Sequence, residues 1–163
     1  MLRNCRWLFG AALMALATMC FAEPSTMLVV KGNIKVFSDE KAKEYRFTEE
    51  QLLKLKQRSI VTKTTWTPTS TFSGPEIADI LNIVGAQGSK VEAITYDDYK
   101  VTIPIEDFAK YKAIMARFMN GKPLERRNYG PLWIMYPVSD YPELQTVKSD
   151  AKLVWQIRQL VVR

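Results

Sequence analysis

The side chains best suited to nucleophilic, acid–base or metal chemistry are scarce in this chain. Both cysteines, Cys5 and Cys20, fall within the first twenty residues, and there is no histidine in all 163 positions. Beyond Cys20 no thiolate or imidazole is left to bind a soft or borderline metal ion. What remains is carboxylates, arginines and aromatic rings. Asp97 and Asp98 stand between Tyr96 and Tyr99. A carboxylate there can accept two parallel N–H donors, as it does from a guanidinium group. Flat rings such as those of Trp66, Trp133 and Tyr136 can stack on a heterocycle for about 0.5–1.5 kcal/mol per good pair. Arg117 interrupts an apolar run, Ile114 to Met119. A buried arginine is costly unless paired, so a carboxylate or a ligand should face it.

Each of these residues also has a plainer reading. Asp97-Asp98 is ordinary turn chemistry. Trp133 beside Ile134 reads as core, and Trp155 does too, by its alternation with Val154 and Ile157. Arg126 and Arg127 read as a solvated loop.

The elements that must position these residues are a mixture, with more strand than helix. Met27 to Phe37 alternates in β fashion around Gly32-Asn33. Thr48 and Gln51 form a capping box that opens a short helix. Ser59 to Trp66 reads as a strand. Ser73-Gly74-Pro75-Glu76 reads as a second helix start, with a Ser/Glu box, a proline in the first turn and Gly85 at the end. Val91 to Tyr96 and Tyr99 to Pro104 read as a hairpin turned at Asp97-Asp98. Ile114 to Met119 turns at Asn120-Gly121, Pro131 to Pro137 follows, and Val154 to Val162 closes the chain. Short, few helices favour an α+β fold on a largely antiparallel or mixed sheet.

Residues 1–22 read as a cleaved export signal. Arg3 and Arg6 precede an uncharged apolar stretch from Trp7 to Phe21, and Cys20-Phe21-Ala22 offers small residues at the cut. The apolar run is short for a bilayer span, which takes about 20 residues. The expectation is therefore a periplasmic protein with a mature domain of residues 23–163. Losing Arg3 and Arg6 lowers the net charge from +6 to +4. That mild, dispersed excess does not indicate nucleic-acid binding.

Met119-Asn120-Gly121-Lys122-Pro123-Leu124, followed by Tyr129-Gly130-Pro131-Leu132 and Pro137, is the most distinctive stretch. An Asn-Gly turn and a glycine before a proline-started strand bring two backbones close together. In order and spacing, this stretch resembles the molybdopterin-binding domain of sulfite-oxidase-like proteins. Phe72-Ser73-Gly74-Pro75 with Ile80-Leu81 is similar to that family's helix entry, and Lys152 to Ile157 to its closing segment. The likeness covers about residues 26–163. It implies a sulfite-oxidase-like fold and a pterin or molybdopterin-like ligand near Trp66, Asp97, Asp98, Tyr99, Arg117, Trp133 and Tyr136.

The resemblance puts the enzymes' metal-binding cysteine near Thr62, where threonine supplies no anionic sulfur. Trp133 stands where the enzymes carry an arginine. The cysteine-lacking exported branch resembles PruR-type proteins. That likeness implies a non-catalytic sensor of a reduced pterin, without a metal. It would dock on the periplasmic domain of a membrane-bound GGDEF/EAL protein, a cyclic-di-GMP cyclase/phosphodiesterase controlling biofilm formation. The alternatives are a molybdenum-dependent oxidoreductase subunit and an interaction module with an empty pocket.

Overall fold

The computed structural model describes residues 25–163, so residues 1–22, read above as an export signal, lie outside the described residues. Strand β1 (Thr26–Gly32) buries Leu28 and Val30 on one face, as its alternation requires. It pairs antiparallel with β2 (Glu44–Thr48) and parallel with the last strand, β11 (Ile157–Val162). β5 (Lys90–Thr95) and β6 (Lys100–Pro104) complete a five-stranded sheet in the order β2-β1-β11-β5-β6. β11 occupies the middle of this sheet, and four of its six residues are hydrophobic and buried.

A four-stranded sheet runs β3 (Gln57–Thr62), β4 (Ser70–Pro75), β8 (Phe118–Met119), β9 (Lys122–Pro123). A ribbon of β7 (Ile114–Ala116) and β10 (Trp133–Met135) is buried throughout. The helices are short: α1 (Glu49–Lys54), α2 (Ile77–Ile83), α3 (Ile105–Lys110) and α4 (Val147–Asp150). One apolar cluster joins both sheets through Phe47, Phe72, Phe108, Met115, Trp133 and Leu160. The architecture is the expected α+β fold on mixed sheets.

Several expected boundaries move. β1 stops at Gly32, and the Asn33 amide donates to Val162 O instead of extending a strand to Phe37. β3 ends at Thr62 because the next residues turn, with Thr64 Oγ1 accepting from the Trp66 and Thr67 amides. Ser73, Gly74 and Pro75 belong to β4, paired with β3, so no Ser/Glu box forms; Glu76 heads α2 without a side-chain cap. Gly74 is needed for contact rather than for a turn. A Cβ there would lie 2.0 Å from the Met115 carbonyl oxygen.

Candidate functional site

The β5–β6 turn, the 63–69 turn after β3 and the segment from α4 to β11 meet around a cavity of about 180 Å³. Trp66, Asp97, Tyr99, Asp150, Trp155 and Gln156 are among its lining residues. Three separate reasons bring them together. The β5–β6 register carries Thr95 and Tyr99 to the same end of the sheet. The Thr64–Thr67 bonds fold Trp66 back over β10. Lys152 anchors the third segment through an ion pair with Asp107 on α3, at 2.5 Å, with both side chains largely buried.

The walls are aromatic. Trp66 meets Trp155 edge-on at 4.5 Å between centroids, and Tyr129 stacks on Trp133 at 4.5 Å. Trp133 is fully buried, packs against Phe72 and donates its Nε1–H to Leu153 O. Trp66 is 39% exposed, so its indole is still available to an incoming ring.

Asp97 forms the polar rim. Its Oδ1 accepts from the Thr95 hydroxyl and, at 3.4 Å, from the Tyr99 amide. These two bonds, the Thr95 one first, hold the carboxyl below the usual carboxylate range. The arrangement can receive a planar heterocycle against the exposed Trp66 indole and accept N–H donors from its edge.

Beside this cavity lies a wider, shallower groove of about 470 Å³, lined by Lys63, Thr64, Ser139 and Thr146 among others. Asp150 borders both and accepts a 2.6 Å bond from Thr65 Oγ1. Thr62, fully buried behind the groove, spends its hydroxyl on Ser139: Oγ1 lies 3.1 Å from Ser139 Oγ and accepts from the Ser139 amide. Among the described residues no three His, Cys, Asp or Glu side chains cluster as a metal site would need.

Of the seven residues singled out by sequence, Trp66, Asp97 and Tyr99 line the cavity. Trp133 sits one layer behind them. Asp98 occupies the left-handed turn position, φ 66°, and faces away to pair with Arg158. Arg117 does find a carboxylate, but it is the protein's own. Nε donates to Glu49 Oε1 at 2.7 Å, and a terminal nitrogen donates to Leu124 O. Tyr136 is buried beside Phe108 and Tyr111 and does not line the cavity. Burial, and then the Asp107 charge, push its phenol above the ordinary range.

Trp155 corrects the core reading, because it is half-buried and forms a cavity wall. Asp150 and Gln156 carried no sequence signal of their own. The distinctive Asn-Gly stretch does bring two backbones together. A Cβ on Gly130 would lie 2.3 Å from the Leu124 carbonyl, and the Gly130 amide donates to Glu125 O.

Comparison with known proteins is consistent with this geometry. The sequence model of the family described as "Oxidoreductase molybdopterin binding domain" matches residues 33–148. No curated protein matches the chain. Among solved structures, the sulfane dehydrogenase SoxCD from Paracoccus pantotrophus is similar, with a TM-score of 0.63 at 16% identity. That match covers 87% of this chain and 39% of the other, so this chain spans well under half of its length. At such identity the likeness is one of fold.

Proposed function

The chain belongs to the oxidoreductase molybdopterin-binding domain family, and on that premise we propose that it is an exported, non-catalytic pterin receptor. Its ligand is a reduced pterin or molybdopterin-like heterocycle. In the periplasm it regulates a membrane-bound GGDEF/EAL protein through that protein's periplasmic domain. The observation that carries the binding half is the cavity, with Trp66 and Trp155 as walls and the Asp97 carboxylate at its rim. A pterin's aminopyrimidine edge offers two parallel N–H donors, which suit a carboxylate that can accept them side by side. At about 180 Å³ the cavity is smaller than the roughly 300–1,000 Å³ typical of drug-sized ligands. A single flat bicycle suits it better than a larger cofactor.

The donor set supports the non-catalytic half. Where the family's enzymes are expected to present a thiolate, Thr62 presents a neutral hydroxyl already engaged by Ser139. A hydroxyl is a poor substitute for the soft sulfur that molybdenum favours. The regulatory half draws on the export-signal reading and on the resemblance to PruR-type proteins.

Protein purified from the periplasm, extracted for fluorescent pterins and analysed for metal, tests both halves of the site. Stoichiometric pterin with no molybdenum is the expected result. Stoichiometric molybdenum, or failure to bind any reduced pterin, overturns the reading. Pull-down of the GGDEF/EAL periplasmic domain with and without reduced pterin tests the partner; a pterin-independent result removes the regulatory role.

A further inference from the structure

We infer that Gln156 couples the ring cavity to the 125–130 loop, so that cavity occupancy sets the position of that loop. The inference rests on the pterin reading above. Gln156 adopts φ 55°, a region that non-glycine residues visit in only about a few per cent of cases. A glutamine stays there when its surroundings over-determine it, and such outliers point to function.

Four hydrogen bonds fix it. The Gln156 amide donates to Tyr129 O at 3.2 Å, and its carbonyl accepts from the Tyr96 amide at 3.1 Å. The side-chain Nε2 donates to Arg126 O at 2.7 Å and to Asn128 O at 3.1 Å. The same residue lines the cavity with Asp97 and Trp155.

Two further links tie the loop to the cavity walls. The Tyr129 ring lies on Trp133 and edge-on to Trp155, and its hydroxyl donates to Trp66 O at 3.4 Å. The Arg126 guanidinium lies over the Tyr96 ring, 3.7 Å from its centroid, beside the turn that carries Asp97. One loop, with Arg126 and Arg127 exposed on it, is thus held from both walls and from the carboxylate rim. Leaving the left-handed conformation at Gln156 would break bonds to the loop and to the hairpin together. A ligand that favours this arrangement therefore holds the loop with it.

Hydrogen exchange on the full chain tests the coupling, with a tetrahydropterin as probe and tryptophan emission as an independent measure of binding. In the unaltered protein, saturating pterin should slow exchange of the 126–130 amides about tenfold. Gln156→Gly permits the backbone conformation but lacks the side-chain carboxamide that bonds Arg126 O and Asn128 O. Its loop slowing at saturation should fall below about twofold, and its affinity should drop by a similar factor, because coupling is reciprocal. Pterin binding with loop exchange unchanged, or full slowing retained in Gln156→Gly, overturns the coupling alone. If the emission titration shows no pterin binding to the unaltered protein, the pterin reading falls together with it.

Discussion

Asp97 keeps its charge through neighbours in its own turn, and this makes its role measurable by pH. The Thr95 hydroxyl and the Tyr99 amide both favour the carboxylate, so the group titrates below the usual range. A depressed carboxylate contributes while it is charged and stops contributing as pH falls through its folded value. The Asp97 contribution to pterin affinity should therefore persist through the ordinary carboxylate range and be lost only as pH falls below it. Thr95→Val removes the larger of the two causes, so the loss should begin at higher pH in that variant. An identical profile in both would separate Asp97 from binding. Asp97→Asn turns half of the acceptor edge into a donor and should weaken binding about tenfold across the range. Trp66→Ala removes one stacking partner and should cost about 0.5–1.5 kcal/mol of affinity. Isothermal titration reads both.

The segment from α4 to β11 carries Asp150, Trp155 and Gln156, yet its short helix has little stability of its own. Its anchor is Lys152 on Asp107. Lys152→Met would leave Asp107 unpaired, 9% exposed, and should destabilise the fold by about 1–3 kcal/mol, the cost of an unsatisfied buried acceptor. Adding Asp107→Asn should recover part of that loss, since the unpaired charge is then gone. Urea unfolding of the single and double variants measures the difference, and an additive loss would rule out the pairing. Local signals placed much of this level correctly. The Thr48/Gln51 box forms with both of its bonds, and the Asp97-Asp98 turn joins two antiparallel strands. The misread elements are those whose partners decide them. Ser73-Gly74-Pro75 has the composition of a helix entry, but pairing with β3 on one side and the approach of Met115 on the other make it strand. The Ile114–Met119 run is one apolar stretch, yet it divides at Arg117, where β7 pairs with β10 and β8 with β4. Trp155 alternates as a core residue would, and only the placement of Trp66 makes it a wall.

On the scale of the whole molecule, three of the four tryptophans are Trp66, Trp133 and Trp155, and the fourth, Trp7, lies outside the described residues. The three come from three separate regions of the sequence, which is why no local pattern announced their cluster. Pairwise they lie 4.5, 5.9 and 6.5 Å apart, so nearly all the indole emission of the folded domain originates at one place. A pterin stacked on Trp66 should therefore quench most of that emission saturably, with Tyr129 and Trp133 bringing the loop into the same signal. Binding to the native state alone also raises stability by RT ln(1 + [L]/Kd), about 2.7 kcal/mol at a hundredfold excess over Kd. For a domain of this length that corresponds to a rise in Tm of roughly 5–10 °C. Quenching and thermal shift must give the same dissociation constant if one site causes both. Quenching without a matching rise in Tm would mean that the pterin collides with the exposed Trp66 face without occupying the cavity. A rise in Tm with emission unchanged would place the pterin away from the tryptophans, and the aromatic cavity would then not be the receptor site.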